Sequence, residues 1–331
     1  MELVGSKSRV LAATLITSFY ALGQALTGLI AWWLQDWRLI LQVSYLPSLL
    51  CISYYWLIPE SVRWLLTKGR TKEATEIILK AAKTNGVTLS ERVMCKMRES
   101  SNPKQDEKED TDEPLPGALY QVFKSKILLT RLIISIFCWV SIMFVYFGLT
   151  VNSVLIGSHK YTSFILVALT ELPAYVATYL SMNKFGRKFS LCSTLILSGV
   201  FCTSFAFLPP GLHWARLLLY SLGKFSITIS YTVMYVLNAE LFPTELRHSL
   251  LGACAMFGQI GSILAPQTPL LERVMESLPL LLFGGMSVLS GLLALYFPET
   301  LNVKLPDTVG EAEKIGKKNR KKSNTGIESE T

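Results

Sequence analysis

Eight stretches of this chain stay apolar for about 20 residues or more, the length a helix needs to cross the hydrocarbon core of a bilayer. They run 10–34, 39–58, 132–156, 161–182, 189–208, 213–239, 249–271 and 277–297. Composition supports the same reading. Half of the 331 residues are apolar and mean hydropathy is +0.38. Only 17% are charged, against about 25% in a soluble domain. Lys7 and Arg9 precede the first stretch as in a signal peptide. That stretch is too long for a cleaved apolar core, however, and seven more follow it. Of six scattered Cys, five fall in apolar tracts and Cys95 in a basic segment, so no disulfide framework is implied.

Basic residues set the orientation. The segments at one side of the eight stretches hold 27 Lys and Arg, those at the other hold four (Arg38, Lys160, Arg216, Arg273). Positive charge is retained on the cytosolic side, so both termini and the long central segment are expected in the cytosol. The net charge of +8 is thereby explained as topology, with no nucleic-acid partner. Within the central segment, periodic apolar positions over 62–82 predict an amphipathic helix, and 100–116 reads as a disordered linker. The tail after Leu305 is similar, and its 317–322 run (KKNRKK) reads as a solvated basic tail.

The chain also repeats itself. Glu2 and Arg9 open the first stretch seven residues apart, as Glu240 and Arg247 open the seventh. Each copy is followed by two stretches and a Pro-Glu pair, Pro59-Glu60 and Pro298-Glu299, at Glu-to-Glu intervals of 58 and 59 residues. The first two stretches therefore look like the end of a unit whose complete copy is the last six. Parallel six-helix repeats are the build of major facilitator transporters. The expected division is 1–59 (last two helices of an N-terminal bundle), 60–127 (cytosolic loop), 128–300 (six-helix C-terminal bundle) and 301–331 (tail), with four helices of the first half missing.

These residues carry a resemblance. Pro59-Glu-Ser-Val-Arg-Trp-Leu-Leu66, Asn183-Lys-Phe-Gly-Arg-Lys188 and Asn238-Ala-Glu-Leu-Phe-Pro-Thr-Glu-Leu-Arg247 are similar to signatures of the organic cation/carnitine/organic anion transporter family. Gly261–Pro266, Pro298–Thr300 and Leu305–Thr308 also fit, in the right order. The resemblance implies an all-α major facilitator fold, covering the family's twelve helices from about the fifth onward. It also implies a multi-pass plasma-membrane protein that is not an enzyme and needs no cofactor.

A charge at mid-bilayer costs ~2.5–3.5 kcal/mol on insertion scales, so it marks a functional candidate. Glu171 and Lys224 are such charges. Lys224, Thr228, Tyr231, Tyr235 and Asn238 form one polar stripe at helical spacing; Trp139, Met143, Tyr146 and Thr150 form another; Glu171, Tyr175 and Thr178 a third. Aromatic faces hold organic cations by cation–π contact. The candidate substrate-binding set is thus Trp139, Tyr146, Glu171, Tyr175, Lys224, Tyr231, Tyr235 and Gln259. In the family, the position matching Gln259 carries Asp in cation-selective members and Arg in anion- or carnitine-type members, whereas Glu171 matches an acidic position of the cation carriers. Arg187, Glu240 and Glu299, with Asn183 and Arg247, are expected to form a cytosolic ion-pair gate, and Glu60, Arg63 and Arg9 its counterpart in the first half. Asn183 replaces the family's Asp and brings no charge. The three His are far apart, without metal-ligand spacing, and no P-loop occurs. The function expected is alternating-access transport of a small organic cation or zwitterion. The rival is a truncated, non-transporting membrane protein that associates with a full-length carrier.

Overall fold

Proline and glycine decide where the apolar stretches stop being regular helix. The computed structural model describes residues 9–53, 60, 62, 65, 70–86, 124–156, 160–209, 211–243, 246–275, 277–301, 303, 306 and 309–315. Among these residues the regular structure is helical throughout. Arg9–Leu34 is α1 and Trp37–Tyr45 is α2. Asp36 begins α2 by accepting the Arg38 N–H at 2.9 Å, one of the otherwise orphaned donors of a helix start. At Leu46–Ser53 the chain narrows to a 3-10 turn, where Pro47 cannot donate to the helical ladder.

The periodic segment of the central region forms α3, Thr71–Thr84, with Ala74 buried. Val62 and Leu65 are also helical, but Arg70 is not, so the single helix expected over 62–82 is interrupted there. The 100–116 segment lies outside the described residues, as does the basic run of the tail.

The long helices follow. They are α4 (Lys126–Ile156), α5 (Lys160–Leu169), α6 (Glu171–Phe185), α7 (Arg187–Ala206), α8 (His213–Leu241), α9 (Arg247–Leu264), α10 (Leu278–Ala294) and α11 (Val309–Lys314). The 161–182 stretch is broken at Thr170 because Pro173 cannot donate to the carbonyl four residues back. Pro266 and Pro269 likewise turn the end of the 249–271 stretch into a 3-10 segment, Ala265–Arg273.

Among the described residues, five helices are long and apolar enough to cross a membrane: Lys126–Val154, Lys160–Phe185, Arg187–Ala206, His213–Leu241 and Arg247–Leu271. Trp37–Ser53 and Leu278–Ala294 are apolar but shorter, close to the ~17-residue lower bound for a span.

The chain divides into two compact units. One comprises residues 1–17 and 34–112 and contains α2 and α3. Its Arg70 and Glu73 pair at 2.7 Å on the surface, and Leu65 is fully buried. The other comprises residues 18–33 and 113–331, and therefore claims the middle of α1 along with α4 to α11. Its core runs along α4, from Leu128 through Ile142 to Leu149, against α7, α8 and α10 (Leu191, Leu195, Ile227, Val233, Phe283). Helix α9 lies against α4 so closely that a Cβ on Gly261 would collide with the Val140 carbonyl. This backbone-to-backbone approach is the use of small residues between membrane helices.

Candidate functional site

The second unit brings the two buried charges together. Helix α6 starts at Glu171 because of the break at Thr170, so the carboxylate sits at the positive end of the helix dipole. Lys224 reaches it from α8, Nζ to Oε1 at 3.0 Å, and both side chains are wholly excluded from solvent. Two phenols complete the carboxylate's shell. Tyr146 of α4 donates to it, its hydroxyl lying 2.8 and 2.9 Å from the two oxygens, and Tyr175, one turn along α6, donates at 3.1 Å. Lys224 in turn donates to Thr150 Oγ1 at 2.7 Å and to the Tyr146 carbonyl at 3.2 Å. It also lies 3.2 Å from the Tyr146 ring centroid. Buried charges of this kind persist only when paired and fully hydrogen-bonded, and here both conditions hold.

Aromatic side chains extend from this pair. The α4 and α8 stripes face each other in antiparallel register: Ser135 donates to Asn238 at 3.0 Å, Trp139 meets Tyr235, Tyr146 meets Tyr231, and Thr150 meets Lys224. Tyr146 and Tyr231 stack with centroids 5.4 Å apart, and Trp139 presents an edge-on contact to Tyr231 at 5.7 Å and to Tyr235 at 4.5 Å. Trp139 is fully buried, whereas Tyr235 is 42% exposed, so the cluster opens at Tyr235. Three buried polar atoms here have no hydrogen-bond partner among the described residues, the Trp139 indole Nε1, Gln24 Oε1 and Asn238 Nδ2.

Gln24 was not legible as a site residue. It comes from α1, and its Nε2 approaches the Tyr146 hydroxyl at 3.4 Å. A lone amide in an apolar stretch was the available signal. Gln259 was expected here and is not brought in: it is exposed and accepts a hydrogen bond from Ser262 on its own helix at 2.9 Å. Helical geometry gives the reason. Gly258 is the residue that faces Trp139 and Met143, and the next position points about 100° away.

A second polar cluster joins helix ends. Arg187 reaches Glu240 Oε1 through Nε at 3.3 Å and Nη2 at 3.1 Å. The other Glu240 oxygen accepts from Thr300 Oγ1 at 2.5 Å. Glu299 caps the start of α7, accepting the N–H groups of Arg187 and Lys188 at 2.8 and 3.1 Å and those of Thr300 and Leu301 at 3.0 Å. Gly186 makes this seat possible. Its φ of +88° suits glycine, and a Cβ there would lie 2.6 Å from the Glu299 carboxylate.

Sequence spacing placed Arg187, Glu240 and Glu299 in one network, and they meet. Asn183 stays exposed, and Arg247 turns to the Phe242 carbonyl at 3.3 Å. Glu60 is exposed, and Arg63 lies outside the described residues.

Residues 6–308 match the model of the sugar (and other) transporter family. An organic cation transporter protein of Drosophila melanogaster is 35% identical over 318 residues, covering 96% of this chain and 58% of the relative. The human organic cation/carnitine transporter 2 is 32% identical, covering 97% and 57%. The chain thus spans a little over half the length of these curated relatives. The inward-open xylose transporter XylE of E. coli superposes with a TM-score of 0.64 at 20% identity, covering 94% of this chain and 66% of that one. A second structure, the XylE proton:xylose symporter of the major facilitator superfamily bound to a bromodeoxyglucose, superposes with a TM-score of 0.59 at 19% identity. The chain belongs to the sugar (and other) transporter family and has an all-α major facilitator fold.

Proposed function

We propose that this member of the sugar (and other) transporter family forms the substrate-binding bundle of a carrier for small organic cations or zwitterions. Its substrate site is the aromatic cluster around Glu171 and Lys224. The observation that carries the reading is the buried pair itself: a carboxylate and an ammonium 3.0 Å apart, continuous with three ring faces leading to the exposed Tyr235. The pair is neutral as a unit and satisfied internally, so it holds α4, α6 and α8 in the arrangement that presents the ring faces. The rings offer a cation the π-faces it prefers. The unpartnered Trp139 donor and Gln24 acceptor are available to polar groups of a bound molecule. The printed names of the relatives, organic cation and organic cation/carnitine transporters, support the same substrate class.

Alternating access rocks one bundle against another about such a site. In that cycle the Arg187–Glu240–Glu299 network, with Thr300, is a lock at the cytosolic ends of α7, α8 and α10 that biases one state. Glu60, Arg63, Asn183 and Arg247 are proposed as its accessory charges. Gln259, exposed on α9 outside the aromatic cluster, is proposed to influence the choice of substrate charge from the edge of the site and not from within the cluster.

The test is uptake into liposomes of a labelled quaternary ammonium, carnitine and an aromatic carboxylate, run on the chain and on Trp139→Ala, Tyr231→Leu, Gln259→Asp and Gln259→Arg. Saturable uptake of the cation or carnitine that falls at least tenfold in the two aromatic variants is expected. The Asp form should favour the cation and the Arg form the carboxylate. Absence of uptake of all three, or uptake indifferent to the aromatic variants, removes this site from the proposal. The lock is tested by Arg187→Gln, expected to lower the maximal rate while equilibrium binding of the substrate persists.

A further inference from the structure

Arg131 lies in the first turns of α4 and is only 6% exposed, yet among the described residues its guanidinium meets backbone carbonyls and no carboxylate at hydrogen-bond distance. It donates through Nη1 to the Ala312 carbonyl at 2.8 Å and through Nη2 to the Ile315 carbonyl at 2.7 Å. Those carbonyls end the six-residue helix α11. A cation at the carbonyl end of a helix satisfies orphaned acceptors and complements the dipole. Isolated helices shorter than ~12–15 residues are marginal in water, so α11 owes its helicity to this docking. Ala312 is fully buried and Ile315 nearly so.

The chain leading to α11 is held at its other end too. Glu299 caps α7, and Thr300 bonds Glu240 at the end of α8. Only eight residues separate Thr300 from Val309.

We propose that Pro298–Leu301 and Val309–Ile315, two anchored pieces only seven residues apart in the chain, act together as a strap, fastened to α4 by Arg131, that makes the ends of α4, α7, α8 and α10 move as one body. Undocking α11 strands a buried guanidinium without partners, which is costly, so the strap is either seated or wholly released. This inference stands independently of the transport reading, since it concerns mechanical coupling within one unit.

Hydrogen–deuterium exchange on the full chain in nanodiscs tests it, comparing wild type with Arg131→Gln, Arg131→Lys and Ala312→Asp. Arg131→Gln and Ala312→Asp, which unseat the strap from its two sides, should speed exchange over 309–315 at least tenfold. They should also raise it over 297–301 and the first turns of α4, while the middles of α7 and α8 stay protected. Arg131→Lys, with one compact ammonium for two carbonyls, should fall between. Unchanged protection of 309–315 in both disruptive variants overturns the proposal. So does release of 309–315 that leaves 297–301 and α4 unaffected, because the segment then fastens nothing. Protection lost everywhere at once in Arg131→Gln, with Ala312→Asp like wild type, also overturns it, since Arg131 would then serve the core and not a strap.

Discussion

Two ion pairs in the second unit solve opposite problems. Glu171 and Lys224 are wholly buried, with side chains at 0% exposure, whereas Arg187 and Glu240 keep 18% and 20%. The buried pair is surrounded by donors and rings that leave neither charge unsatisfied. The half-exposed pair shares its acceptors with a hydroxyl, and its neighbour Glu299 binds backbone amides. The difference teaches that the first pair is a fixed feature of the interior, in which losing either partner is severe. The second is a junction that water can help to open.

The largest effect is therefore expected at Glu171→Gln. Leaving Lys224 buried without its counter-charge should cost about 3–5 kcal/mol, seen as a fall in melting temperature in detergent. The double variant Glu171→Gln/Lys224→Met should recover most of it. If the single variant melts like wild type, the distinction between the two pairs fails. Next, Gly186→Ala forces a side chain into positive φ and against the Glu299 carboxylate, expected to cost about 1–3 kcal/mol and to show in the same melts. Glu299→Gln keeps the shape but removes charge from the start of α7, an expected loss of about 1–2 kcal/mol. Its accompanying sign is faster amide exchange at residues 187–188. Smallest is Arg70→Ala, which breaks a pair on α3 whose side chains are 48% and 53% exposed. Surface pairs contribute little, so unfolding should be indistinguishable from wild type. A measurable loss there would mean that exposure is a poor guide to the ranking.

The stripes on α4 and α8 were readable because a helix repeats every 3.6 residues. Trp139, Tyr146 and Thr150 had to share a face, as did Lys224, Tyr231 and Tyr235. That the two faces meet in antiparallel register was not readable. Gln259 shows the limit from the other side. Motif position nominated it, yet α9 turns Gly258 and Gly261 to α4 and leaves its neighbour exposed. Arg131 was invisible for a related reason. Its partners are carbonyl groups some 180 residues on, and every residue has a carbonyl.

Periodicity and apolar length are local properties, so the chain by itself determined the helical, membrane-crossing class, the three polar stripes, the Arg187–Glu240–Glu299 motif set and the family. Packing is not local. Which stripe faces which, that the two buried charges neutralise each other, that the middle of α1 contributes Gln24, and that the tail doubles back onto Arg131 were decided only when the helices met. Each depends on the rotation and depth at which small residues let one backbone approach another.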